Sequence, residues 1–200
     1  MATNIKAAGT APGVKTDLFE SDELVSLARL NIERGEVEEA LWKLKQVIAE
    51  ANPPAEALAM SARLYAQLGL FERAKPLFQR YLVMQPNAVN EIFQLGMVHF
   101  DAGQQAEALK IWDGLLRTQP THPPALFYRA LALHQLDQSP EARHSLDILL
   151  KSAAPDNLYF NRAKELLQTI ENPPATLAGR GAAPTEAMRM APKDAYKTEH

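Results

Sequence analysis

The chain contains no cysteine. Disulfides, thiolate metal sites, iron–sulfur clusters and cysteine nucleophiles are therefore excluded. No apolar run approaches the roughly 18 residues needed to span a bilayer, so no membrane insertion is expected. Residues 1–16 hold small side chains but no apolar core of the kind a secretory signal requires, which predicts a cytoplasmic protein. An excess of one charge is lacking too. The 21 basic and 24 acidic residues leave a formal charge of −3, with no general pull toward nucleic acid. Catalytic motifs are equally scarce. Gly179-Arg180-Gly181 follows no strand pattern, and no His-Glu-x-x-His run occurs. His99, His122, His134, His144 and His200 are dispersed, without the three or four convergent groups a metal needs. No enzyme activity, cofactor or metal is expected.

What the chain does have is a period. Ala40, Ala74, Ala108 and Ala142 stand 34 positions apart. Gly35, Gly69, Gly103 and Asp137 precede them by five positions. Leu44, Phe78, Trp112 and Leu146 follow by four, and Val47, Tyr81, Leu115 and Leu149 by seven. Upstream stand Ala28, Ala62, Gly96 and Ala130, then Leu24, Leu58, Ile92 and Leu126. Prolines 53, 54, 86, 120 and 155 punctuate the ends. Each unit therefore reads as two apolar helices around a left-handed turn residue. Small residues let the helices approach, large ones fill the space between neighbouring units, and proline stops the second helix.

This pattern resembles the tetratricopeptide repeat (TPR) family. The resemblance implies an all-α fold: a right-handed superhelical solenoid of four helix pairs, at residues 21–54, 55–88, 89–122 and 123–156. A capping helix is expected at 157–171, where Leu158, Ala163, Leu166, Leu167 and Ile170 keep helical spacing. The TPR domain spans 17–171, with Leu18 and Phe19 packing on the first repeat. Residues 1–16 and 172–200 read as a disordered arm and tail. Asn31 replaces Tyr65 in the first repeat and Asp137 replaces glycine in the fourth. Pro76 falls inside a second helix, where it removes a hydrogen bond and should bend it. Pro140 suits a helix start. His99, in the Tyr65 column, reads as a satisfied core imidazole, and His144 as exposed.

The family register assigns inward positions on the first helices. It gives Arg29 and Arg63 in the N-terminal half. Phe93, Met97, Phe100, Phe127, Tyr128, Leu131 and His134 follow in the C-terminal half. Val25 and Ala59 stand where Phe93 and Phe127 stand two repeats on. So large a swing in volume reads as a partly exposed apolar groove rather than a core column. The family's carboxylate clamp is absent, since Val25, Arg29, Met60, Asn90 and Gln94 occupy its places. The expected function is a non-enzymatic interaction module. It would hold a protein or peptide partner in that groove as a chaperone or adaptor, with Arg29 and Arg63 pairing acidic groups. Its size and its repeats followed by a helix are similar to the class II chaperones of type III secretion translocators, though four repeats exceed the usual three. The alternative is a self-associating scaffold of a secretion, pilus or cytochrome-maturation machine, a homo-oligomer for which the outward Trp42 is the signal.

Overall fold

The computed structural model describes residues 19–172. All regular structure among them is helical. The helices are α1 (Ser21–Glu33), α2 (Val37–Ile48), α3 (Ala55–Gln67), α4 (Phe71–Met84) and α5 (Val89–Asp101). They continue with α6 (Gln105–Thr118), α7 (Pro123–Gln135), α8 (Ser139–Ser152) and α9 (Leu158–Glu171). The expected arm, and the tail beyond Asn172, lie outside the described residues. Contacts divide the chain into two compact units, one ending at Ala57 and one beginning at Leu58. α1 begins at Ser21, so Phe19 and Glu20 do not extend it, and Leu18 lies outside the described residues. Instead the Glu20 N–H donates to Glu23 Oε2 at 3.0 Å in a reciprocal capping box.

The odd first helices start at 21, 55, 89 and 123, in step with the period. The turns that end them share one hydrogen-bond pattern. Gly35 N–H donates to Ile32 O and Glu36 N–H to Asn31 O, at 3.0 and 2.8 Å. The same pair of bonds recurs at Gly69, at Gly103 and at Asp137. The turn residue needs a left-handed backbone, and φ is +71° to +77° at the three glycines and +59° at Asp137. Pro76 sits exposed inside α4, which stays one continuous helix. At the start of α7 the ring of His122 caps the helix, its Nδ1 accepting from the Ala125 N–H at 3.2 Å.

In the first unit α1 packs on α2 through Leu24, Val25, Ala28, Ala40, Leu44 and Val47, all buried. In the second unit α4 to α9 pack in sequence, α9 lying on both α8 and α7. The deepest feature is Trp112 on α6, fully buried. Its ring lies so close to α5 that a Cβ built on Gly96 would stand 2.2 Å from Nε1. The indole N–H donates to the Phe93 carbonyl at 3.3 Å. Gly96 is thus required by contact rather than by backbone conformation. It is the one glycine in a column otherwise filled by Ala28, Ala62 and Ala130, opposite the one tryptophan in the Leu44 column.

Gly96→Ala should therefore lower unfolding stability by about 3 kcal/mol, the upper end of ordinary overpacking, as read from urea titrations. Gly96→Ala with Trp112→Phe should recover a large part of it. A fully stable single variant would contradict the geometry. Burial lowers the pKa of His122, and protonating Nδ1 would also remove the acceptor that caps α7. The unfolded chain then binds the proton more tightly. The contribution is complete above about pH 6.5 and is lost as pH falls from there through the lower folded value. Asparagine caps without titrating. The fall in melting temperature from pH 7 to pH 5 should thus be smaller in His122→Asn, measured by circular dichroism.

Candidate partner-binding face

The structure places the predicted apolar groove residues in the core. Met97 and Leu131 are fully buried, and Phe93, Phe100, Phe127 and Tyr128 are nearly so. The expectation of a partly exposed groove is corrected. The extra ring volume is taken up by ring-on-ring packing. Phe93 lies 6.3 Å from Trp112, 5.6 Å from His122 and 5.8 Å from Tyr128, centroid to centroid. Tyr128 also meets Phe100 at 6.1 Å, Trp112 at 6.1 Å and Phe127 at 5.3 Å. α9 closes the cluster. Tyr159 packs 5.7 Å from Phe127, and the Arg162 guanidinium lies 4.6 Å from that ring's centroid.

The two arginines are engaged within the chain. In the first unit Arg29 pairs with Glu56, both side chains about half exposed. The Glu56 carboxylate raises the Arg29 pKa through a hydrogen bond and its charge. In the second unit Arg63 Nη1 donates to Glu91 Oε1 at 3.1 Å, with side-chain exposures of only 17% and 11%. The sequence carried a signal for both pairs: a glutamate 27 or 28 residues after each arginine. His99 is satisfied as expected, its Nδ1 lying 2.8 Å from Gln104 Oε1, though it is half-buried rather than core. His144 is exposed. His134 is half-buried, and its Nδ1 has no hydrogen-bond partner. Burial lowers its pKa, opposed by the charge of Asp137.

A polar set remains on the first helices of the second unit. Gln94 on α5 and Tyr128 on α7 hold equivalent positions one repeat apart. Both side chains are buried; Gln94 Oε1 has no hydrogen-bond partner among the described residues, whereas the Tyr128 hydroxyl faces the Arg162 guanidinium. Asp101 and Gln135 stand seven residues further along the same helices, two turns on and therefore on the same faces. Phe100, Asp101, Gly103, Gln105 and Gln135 line a recess of about 320 Å³. Gln105 Nε2 donates to Gln135 Oε1 there, at 3.3 Å. Arg162 extends the set from α9, 5.9 Å from the Tyr128 centroid. Burial raises the Tyr128 pKa, opposed by the Arg162 charge and by a hydrogen bond with Arg162. Sequence reasoning named Tyr128 for its ring and missed its hydroxyl. It missed Asp101, Gln135 and Arg162 altogether, since only folding brings α9 against α7. Among the described residues no cluster of three or more His, Asp or Glu side chains could hold a metal, and no helix is long and apolar enough to cross a membrane.

The family profile described as "Tetratricopeptide repeat" matches residues 25–89 and 93–157, well over half of the chain. The chain belongs to the TPR family. No curated protein sequence matches it. Among solved structures, MamA AMB-1 superposes with a TM-score of 0.66 at 19% identity, over 74% of this chain and 81% of that one. MamA from Desulfovibrio magneticus RS-1 gives 0.63 at 20%, over 76% and 93%. YrrB, described as a TPR protein with an unusual peptide-binding site, gives 0.66 at 19%, over 72% and 74%. At these identities the likeness is one of fold. TPR proteins are in general non-enzymatic protein–protein interaction modules.

The two ion pairs of this TPR chain differ in burial, so their loss should differ in cost. Arg63→Leu leaves the buried Glu91 carboxylate without its partner and should destabilise by about 3 kcal/mol. Arg29→Leu should cost less than about 1 kcal/mol. Equal midpoints for the two variants in urea would contradict the assignment.

Proposed function

We propose that this TPR protein is a non-enzymatic chaperone or adaptor that holds an extended segment of a protein partner along the first-helix face of α5, α7 and α9. Recognition is by hydrogen bonding rather than by deep apolar anchors, because the aromatics that would have formed a groove are consumed by the core. The observation that carries this reading is the buried Gln94 oxygen without a hydrogen-bond partner among the described residues, one repeat before Tyr128, whose hydroxyl faces Arg162. A buried polar atom without a partner is costly, and a main-chain N–H of a bound segment would satisfy the Gln94 oxygen once its side chain turns outward to meet it. Asp101, Gln135 and Arg162, each already engaged within the chain, make the surroundings polar. YrrB supports the general reading as a TPR protein of similar fold with a peptide-binding site.

The test uses a variant that removes both atoms and keeps the shape, Gln94→Leu with Tyr128→Phe. Removing the partnerless Gln94 oxygen should leave stability unchanged or slightly higher, and Tyr128→Phe should cost about 1–2 kcal/mol, the hydrogen bond to Arg162. Partners co-purifying with the wild type from the native cell, identified by mass spectrometry, should be depleted at least about tenfold with the variant, the worth of one lost hydrogen bond to a buried group. Undiminished recovery of the same partners by the stable variant would contradict the proposal.

A further inference from the structure

A second surface, which shares α5 with that face but uses other residues of it, has no place in that reading. In the second unit, between α4, α5 and α6, runs a groove of about 550 Å³ lined by Leu82, Ile92, Leu95, Ile111, Gly114 and Lys110, among others. Among the described residues no carboxylate lines it. Space for a β-carbon is open at Gly114, where an added Cβ would meet only Arg117 Nη2, at 3.9 Å. Arg117 has no ion pair among the described residues. Lys110 holds only an exposed Glu107, at 3.3 Å. The groove is therefore apolar along its floor and cationic at its α6 edge. Beside it on α4 stand two exposed apolar side chains, Val83 and Met84.

The complementary feature is on the first unit. Trp42 on α2 is 44% exposed, unusual for the largest apolar side chain and frequent at association hot spots. One helical turn before it stand Glu38 and Glu39, both exposed. Residues 19–57 carry nine acidic against four basic side chains. The flanking stretches do not share this character: residues 1–18 hold two basic and one acidic residue, and residues 173–200 hold four and three. A slight basic excess does not complement a cationic rim, so neither flank suits the groove as well as the α2 surface does.

We infer that the occupant of the α4–α5–α6 groove is the α2 face of a second copy of this chain. Trp42 seats against Ile92 and Ile111, and Glu38 and Glu39 meet Arg117 and Lys110. The contact joins two different surfaces, so each copy keeps one unused donor face and one unused groove, and association continues beyond two. The electrostatic part weakens as salt screens it.

Two variants isolate the two surfaces. Trp42→Ala removes the exposed ring. Gly114→Glu adds a carboxylate to the groove at a helical position with room for it, and replacing glycine in a helix favours folding. Circular dichroism should show both folded. In sedimentation velocity the wild type should gain mass with protein concentration, less so at high salt, whereas each variant alone should stay monomeric. Mixed, the two variants should form one-to-one dimers and nothing larger, since only one intact donor face and one intact groove are then available. A wild type that stays monomeric throughout would overturn the inference. So would a Trp42→Ala variant that associates like the wild type, or a mixture that yields no dimer. The Gln94 and Tyr128 face is untouched in both variants, so failure here leaves the proposed function standing.

Discussion

The rest of the second unit depends on the approach of one indole to one glycine. Trp112 can be buried fully only because Gly96 presents no side chain to it. From that point the aromatic contacts spread in order. Trp112 meets Phe93 and Phe100 on α5 and Tyr128 on α7, then Tyr128 meets Phe127, and both meet Tyr159 on α9. Each such pair adds about 0.5–1.5 kcal/mol beyond the area it buries. Four helices are tied through side chains from a single close contact. An alanine in that place, as in the other repeats, would force the indole out and loosen the ring cluster with it.

This packing decides what is left for recognition. Aromatic and methionine side chains that might have greeted an apolar ligand are spent on the protein's own interior. Gln94 Oε1 is carried inward with its side chain and left without a partner among the described residues, a deficit that a hydrogen-bond donor relieves and an apolar group does not. Apolar exposure survives elsewhere, at Trp42, Val83 and Met84 on second helices and at Leu30 and Leu158 on α1 and α9.

The helix pairs and their turns were legible because their causes are local. A left-handed turn needs glycine or a tolerant residue such as Asp137, and the alanine columns mark helix contacts at a fixed spacing. The compensating pair was also visible in principle, as glycine replacing alanine in one column and tryptophan replacing leucine or phenylalanine in another of the same repeat. Reading it required knowing that those columns face each other. The face residues were misread for a different reason. A change from Val25 and Ala59 to Phe93 and Phe127 says that volume changes, not where the volume goes. It goes against α7 and α9, through contacts to Tyr128, Tyr159 and Arg162 that no periodicity announces. Likewise Arg29 and Arg63 showed their charge in the sequence, while Glu56 and Glu91 close on them only in the folded chain.

The indole N–H groups offer the most direct test. Trp112 Nε1–H is buried and bonded to the Phe93 carbonyl, whereas Trp42 is partly exposed on α2. Hydrogen exchange at the two indoles, followed by nuclear magnetic resonance in increasing urea, separates them. If the Gly96–Trp112 contact organises the unit, the Trp112 indole exchanges only when the unit unfolds, with the urea dependence of global unfolding, and Trp42 exchanges freely. Exchange at Trp112 as fast as at Trp42, or through local opening insensitive to urea, would contradict the account.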